Sequence, residues 1–285
     1  LSINLNYIIF FMIIWLASYP KSGNTWVRAL LTNYLYNENY KENVFSKLDM
    51  IKSFPQKFAF KGIVEERELE KNYMMLFKYF IEAQKKINRD NNLHIIKTHN
   101  ICGSVNNFDF TDKENTMGSI YILRDPRSIA VSYAYHANIS FEKSVEIMMD
   151  EKRITLHNKI YPEARSSWKI HLKSWLNHPM PKIFIKYEEL ETNTHECFKS
   201  ILEFINKFIK KKIEINDEKI LKTVKNCSFD NLSDLEKKFG FAEKGKNVNF
   251  FRKGKTDEWK TVLNKELISK IEKEFSEELK EFKYY

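Results

Sequence analysis

The strongest pattern in the chain is an uninterrupted apolar run, YIIFFMIIWLA, over residues 7–17. Continuous apolarity, without the alternation of a one-faced strand, predicts a strand buried on both sides. After Tyr19 comes the polar stretch Pro20-Lys21-Ser22-Gly23-Asn24-Thr25, and then Val27, Leu30, Leu31, Tyr34 and Leu35 recur at helical spacing. A strand, a glycine-containing loop and a helix thus follow one another. Residues 66–90 read as an amphipathic helix whose apolar face is Leu69, Tyr73, Leu76, Phe77, Phe80 and Ile81. Strands are predicted over 93–98 (LHIIKT) and 118–124 (GSIYILR), the latter followed by Asp125-Pro126, an N-cap and first-turn pair that opens another helix. Further on, 162–177 reads as helix and 182–187 (KIFIKY) as strand. Residues 194–209 read as a helix with Cys197, Ile201, Phe204, Ile205 and Phe208 inward, and 265–282 as an exposed amphipathic helix.

Buried strands spaced by helices imply an α/β fold: a central, mostly parallel sheet between two helical layers, built from right-handed crossovers. No internal repeat and no Pro/Gly/Ser-rich linker interrupts residues 1–285, so a single domain is expected. Only 7 Gly and 6 Pro occur, about 5% together against roughly 12% in an average domain, which disfavours a turn-dense sandwich. With 43% hydrophobic and 14% aromatic residues the chain is no disordered scaffold. The run over 7–17 is eleven residues long, short of the roughly 20 needed to span a bilayer. It also lacks a preceding basic segment of the kind signal peptides carry, so neither stable membrane insertion nor secretion is expected and a cytoplasmic location is. The chain opens on Leu1 rather than Met, which leaves room for residues upstream.

Cys102, Cys197 and Cys227 are odd in number and widely spaced, in no CxxC or Cys/His cluster, so neither a disulfide framework nor a structural zinc is expected. Lys and Arg number 47 against 38 Asp and Glu, a net charge of +9. That excess fits a solvated basic surface or an anionic partner and does not choose between them.

In sheets of this kind ligands sit outside the carboxyl ends of the strands, and the informative residues fall there. The loop after the first strand offers backbone N–H groups at a helix start, with Ser22 and Thr25 adding hydroxyls, a suitable site for phosphate. Lys21 precedes Gly23, so the spacing of an ATP- or GTP-binding GxxxxGK[ST] loop is absent.

The string YPKSGNTW closely resembles the 5′-phosphosulfate loop, YPKSGTTW, of sulfotransferases that use 3′-phosphoadenosine 5′-phosphosulfate (PAPS), with Asn24 in place of a threonine. The segment from Arg124 to Ser132 (RDPRSIAVS) resembles the family's 3′-phosphate strand-loop-helix. Phe251-Arg252-Lys253-Gly254-Lys255-Thr256-Asp257-Glu258-Trp259-Lys260 is similar to its RKGxxGDWK segment, with Asp257 for the usual glycine and Glu258 for the usual aspartate. The resemblance runs from about residue 14 to 260 and implies a P-loop-like three-layer αβα fold and sulfuryl transfer to a hydroxyl or amine. It implies donor contacts from Lys21, Ser22, Gly23, Asn24, Thr25, Arg124, Ser132, Arg252, Lys253 and Gly254. The adenine would lie by Trp26, Tyr187, Ser228 and Phe229.

Sulfuryl transfer needs an immobilised donor, a base for the acceptor proton, and positive charge where the leaving phosphate gains charge. Lys97-Thr98-His99 follows a predicted strand and resembles the family's KTH segment, which makes His99 the expected base. The proline that commonly follows is replaced by Asn100. Lys21 is expected to stabilise the oxygen bridging sulfur and phosphorus, with Lys97 assisting and no metal required. The product would be adenosine 3′,5′-bisphosphate (PAP).

Two other readings stay open on residues alone. One is a P-loop-like kinase of a small metabolite, marked by a magnesium requirement. The other is a non-catalytic nucleotide or nucleic-acid binding module, marked by salt-sensitive binding without turnover. Under the leading reading the partners are the nucleotide and a small-molecule, lipid or carbohydrate acceptor, with no nucleic acid. Residues 36–90 and 134–165 are expected over the acceptor side, where their Tyr, Phe and Met content would suit an apolar or amphipathic alcohol or else pack a helical lid. The family's KxxxTVxxxE dimer motif is not recovered, since Thr261-Val262 directly follow Lys260, so oligomeric state is left undetermined.

Overall fold

A computed structural model describes residues 12–37, 43–90, 92–245 and 248–285. The strands in chain order are β1 (Ile13–Ser18), β2 (His94–Thr98), β3 (Ser104–Val105), β4 (Phe108–Asp109), β5 (Thr116–Leu123), β6 (Ile154–His157), β7 (Tyr161–Ala164) and β8 (Lys182–Lys186). Four of them form one sheet in the order β2-β1-β5-β8, parallel throughout. β3 with β4 and β6 with β7 are separate antiparallel hairpins.

The helices are α1 (Asn24–Tyr36), α2 (Lys57–Phe60), α3 (Glu66–Lys71), α4 (Phe80–Ile87), α5 (Pro126–Ala137), α6 (Phe141–Met149) and α7 (Trp168–Asn177). They continue as α8 (Tyr187–Thr192), α9 (Thr194–Asn206), α10 (Asp217–Asn226), α11 (Phe229–Phe239), α12 (Trp259–Val262), α13 (Lys265–Glu274) and α14 (Ser276–Glu281).

β1 is buried along its whole length, as a central parallel strand must be. Its side chains divide by parity. Trp15 and Ala17, with Tyr121 and Leu123 of β5, join a core containing Ile129 of α5, Trp168 and Trp175 of α7, and Ile271, Phe275 and Leu279 of the C-terminal helices. Ile14 and Leu16, with Ile120 and Ile122, pack against Val27, Leu30 and Leu31 of α1 and against α9 and α10. Two apolar cores on opposite sides of one sheet make a three-layer αβα arrangement, each large buried side chain contributing about 1.5–3 kcal/mol by removal from water.

Local signals account for where helices start. Asp125 caps α5 by accepting from the Arg127 N–H at 2.8 Å, with Pro126 in the first turn. Gly23, at φ 102°, turns the chain into α1, and a Cβ there would lie 2.5 Å from the Tyr187 ring.

Three expected elements differ. Residues 66–90 are not one helix: the Asn72 side chain accepts from the Met74 N–H and starts a 3₁₀ stretch, Tyr73–Tyr79, between α3 and α4. Residues 162–164 belong to β7, because they pair with β6, and α7 begins only where Ser167 accepts from the Ile170 N–H. The segment 265–282 is two helices rather than one, and it is not exposed, since Ile271, Phe275 and Leu279 are fully buried in the first core. Residues 7–11 of the first predicted strand lie outside the described residues. Cys102, Cys197 and Cys227 are unpaired. Among the described residues no helix is long and apolar enough to cross a membrane.

Candidate active site

The parallel sheet delivers the motif residues to one edge. β1 ends at Ser18, β2 at Thr98, β5 at Leu123 and β8 at Lys186, so Lys21, His99, Arg124 and Tyr187 leave the sheet at the carboxyl ends of its four strands. They line one cavity of about 750 Å³, together with Gly23, Asn24, Thr25, Trp26, Lys97, Ser132, Ser228, Phe229, Arg252, Lys253 and Gly254. Ser22 is the exception among the residues singled out by sequence. It is buried beneath the loop, and its hydroxyl has no hydrogen-bond partner.

The loop before α1 is tied down from three sides. Lys21 adopts φ 70°, and its carbonyl accepts from the Arg124 guanidinium at 3.0 Å. Asn24 turns its side chain back to the sheet, donating to the Leu16 carbonyl at 3.0 Å and to the Ser18 hydroxyl at 3.3 Å. It therefore holds the loop to β1, and what it presents toward the cavity is a first-turn position, where backbone N–H groups have no intrahelical carbonyl to bond. Thr25 donates its hydroxyl to Glu243 at 2.8 Å.

Burial dominates the electrostatics. The Lys21 ammonium lies 3.9 Å from the centre of the Phe250 ring, and burial together with the Arg124 charge pulls its pKa down to about 7. Burial also lowers that of Lys97, against the pull of Glu243. His99 is held well below the ordinary imidazole value by burial and then by the Lys97 charge, so it stands neutral. Its Nδ1 lies 2.7 Å from the Ser18 carbonyl oxygen, and its main-chain N–H donates to Glu163 at 3.2 Å.

At the other end Arg124 stacks 4.0 Å over the Tyr187 ring, its Nε unpaired and buried. Tyr187 meets Trp26 edge-on at 5.7 Å, and the Trp26 indole donates to the Cys227 carbonyl at 2.8 Å. Gly254, at φ 64°, lies so close to Phe229 that a Cβ would come within 2.4 Å of the ring. Arg252 lies 3.9 Å over Tyr135 and pairs with Glu258, which also holds the Lys253 ammonium at 2.9 Å. Glu258 thus orients the two cations from within the same loop. Trp26, Val224, Phe229, Leu232 and Phe251 share the second core at this end, while Pro20, Val131 and Phe250 complete the aliphatic and phenyl lining.

Sequence reasoning missed charged residues of this cavity, among them Glu243, Glu163 and Arg165. Glu243 pairs with Arg28 at 2.5 Å and lies 3.9 Å from Lys97; burial would raise its pKa, but Lys97 and Arg28 bring it down to about 2. Glu163 and Arg165 pair at 2.6 Å. Neither the loop at Glu243 nor the end of β7 at Glu163 carries a motif that would have marked them. The aromatic content of 36–90 suits either an apolar acceptor side or a packed helical lid, and several of its apolar side chains are packed. Phe54, Phe60, Leu69, Leu76, Phe77 and Phe80 are buried in the first core, and this segment presents Ser53 and Gln56 to the cavity instead.

Known proteins resemble this chain along almost all of its length. Flavonol 3-sulfotransferase of Flaveria bidentis is 28% identical over 277 residues, covering 93% of this chain and 81% of its own. Cytosolic sulfotransferase 13 of Arabidopsis thaliana is 26% identical, covering 93% and 76%. Among solved structures, retinol dehydratase in complex with androsterone and inactive cofactor PAP aligns with TM-score 0.60 at 19% identity, covering 94% of this chain and 80% of that one. Mouse sulfotransferase SULT7A1 complexed with PAP aligns with TM-score 0.60 at 19% identity, covering 94% and 84%. These two likenesses establish the shared fold. The sulfotransferase-domain family model matches residues 13–283, which takes in the loop at Lys21, the base candidate His99 and the segment around Arg252, and the chain therefore belongs to the sulfotransferase family.

Proposed function

We propose that this chain works as one catalytic unit in the cytoplasm, moving a sulfuryl group from PAPS to a hydroxyl or amine acceptor by in-line displacement with His99 as general base. The observation that carries this reading is the Ser18 carbonyl at His99 Nδ1, in a cavity that also holds Lys21 and Lys97. A carbonyl oxygen only accepts, so Nδ1 bears the proton and Nε2 keeps its lone pair. Burial and Lys97 keep the ring neutral, as a base must be before it acts.

The donor site suits a bisphosphate nucleotide. The buried Arg124 Nε lacks a partner within the protein, and Lys21, Lys97, Arg124, Arg252 and Lys253 supply cations along the cavity. In this reading the N–H groups before α1, with Lys21, hold the 5′-phosphosulfate, while Arg124, Ser132, Arg252, Lys253 and Gly254 hold the 3′-phosphate. Trp26, Tyr187, Ser228 and Phe229 bound the adenine. His99 Nε2 removes the acceptor proton as the acceptor oxygen or nitrogen bonds to sulfur. The bond from sulfur to the 5′-phosphate oxygen breaks, PAP leaves with that electron pair, and Lys21 and Lys97 neutralise the charge it gains.

Radiosulfur-labelled PAPS and a mixed panel of hydroxyl and amine acceptors test the reading. Label should move to an acceptor with wild-type protein and not with His99→Ala. Undiminished transfer in the variant removes His99 from the base role.

A further inference from the structure

We propose that the acceptor is a polyhydroxylated, saccharide-like molecule, held beside His99 by Arg165, Glu163 and His157. This rests on the sulfuryl-transfer reading of the same cavity and assigns its acceptor class.

Where the chain passes His99, the cavity is polar. Glu163 lines it with a carboxylate only 3% exposed, which accepts from the His99 main-chain N–H through Oε1. Its Oε2 accepts from Arg165 Nε at 2.7 Å and lies 3.2 Å from His157 Nε2. Burial alone would raise the Glu163 carboxyl, but Arg165 and His157 hold it well below the ordinary range, so it is an anion matched by a cation. Ser53, whose backbone bridges to Lys97, and Gln56 add neutral hydrogen-bonding groups.

The division between core and cavity selects the ligand. The aromatic residues Phe54, Phe60, Phe77 and Phe80 of 36–90, which could have stacked on a phenol or sterol, are packed into the first core, whereas around Glu163 the cavity presents a guanidinium, a carboxylate, an imidazole, a hydroxyl and an amide, with Tyr133, Val131 and Phe250 on its remaining wall. An apolar acceptor would strip water from these groups without replacing its hydrogen bonds. A sugar hydroxyl both donates and accepts, so neighbouring hydroxyls can meet the donor and acceptor edges of a neutralised Arg–Glu pair at once. A net anion is less suited, because Glu163 already balances Arg165. The reaction is the same displacement: a sugar oxygen bonds to sulfur, the hydroxyl proton passes to His99, and PAP departs with the electrons of the broken sulfur–oxygen bond.

The test compares kcat/KM for three acceptor classes with PAPS: neutral mono- and disaccharides with glucuronate beside them, 4-nitrophenol with a flavonol, and a hydroxysteroid. PAP binding is measured on every protein. A neutral saccharide should exceed the phenols and the steroid by ~100-fold or more, the discrimination a site built for hydroxyls imposes on an acceptor that cannot return its bonds. Arg165→Leu should lower saccharide kcat/KM at least about tenfold, Arg165→Lys less, with PAP affinity held within about twofold in both. His157→Phe should lower it in the same direction, which keeps the test alive if Arg165→Leu fails to fold. Preference for a phenol, the steroid or glucuronate overturns the assignment, as does a protein that binds PAP and sulfates no saccharide. Failure to bind PAP overturns the donor reading first, and this one falls with it.

Discussion

His99 Nδ1 lies 2.7 Å from the main-chain oxygen of Ser18, so the last residue of one strand fixes the tautomer of the residue that follows its neighbour. Ile14 to Ala17 of β1 pair in parallel register with Ile95 to Thr98 of β2, which is what brings the two groups together. Replacing His99 by Ala leaves the cations of the donor site in place. Turnover should fall by roughly 10²–10⁴, the usual worth of a general base, with PAP affinity nearly unchanged. The pH profile of kcat/KM gives a second readout. Because burial lowers the His99 pKa below 6.5, its neutral form is retained through pH 6.5, and the acid limb due to His99 should lie below that pH.

Lys21 should take up a proton when an anion binds. Its pKa in the empty protein is about 7 rather than 10.5, so above pH 7 it is mostly neutral, and a bound phosphate favours its charged form. Binding of PAP at pH 8 should therefore consume protons, and affinity should fall as pH rises above 7. Calorimetry in two buffers of different ionisation enthalpy measures the uptake; no buffer dependence would contradict the burial of this ammonium.

Arg124→Ala removes a cation that also braces the Lys21 carbonyl. PAP binding should weaken by about 1.5–3 kcal/mol, the worth of a hydrogen bond to a charged group. Gly254→Val should weaken it as well, by forcing the loop off Phe229 and out of a positive-φ conformation. Equilibrium titration of both variants, with a melting curve to confirm folding, checks the pair.

Glu243 faces the anion end of the cavity with its carboxylate ionised, bound to Thr25 and Arg28. An incoming phosphosulfate meets this like charge and competes for Thr25. Glu243→Gln should tighten PAP binding by about fivefold, near the 1 kcal/mol exchanged by like charges several ångströms apart in a partly hydrated site. It should also lower the melting temperature above pH 4.5, because Arg28 loses its ionised partner. Weaker PAP binding in this variant would instead make Glu243 a support of the loop.

The gathering of the candidate residues at one edge was legible in the sequence because a parallel sheet turns short motifs into neighbours. Lys21, His99, Arg124 and Tyr187 each follow an apolar run that reads as a strand, and parallel pairing aligns their ends. Glu243 was not legible, since its contact with Thr25 spans 218 positions and arises from a loop without local periodicity. Glu163 and Arg165 were hidden for a different reason. Residues 162–177 carry helical spacing, and only pairing with β6 turns 162–164 into a strand that presents Glu163. The aromatic content of 36–90 left an apolar acceptor side and a packed helical lid equally open, because composition cannot distinguish side chains that face a cavity from those that fill a core.

The most direct test of the sulfotransferase account is calorimetric titration with PAP, run against ADP and ATP with and without magnesium. The account predicts tight binding of PAP that is indifferent to magnesium, with little response to ADP, because it assigns Arg124, Arg252 and Lys253, which line the cavity, to a 3′-phosphate that ADP lacks. Preference for ATP, dependence on magnesium, or no binding of PAP would contradict it.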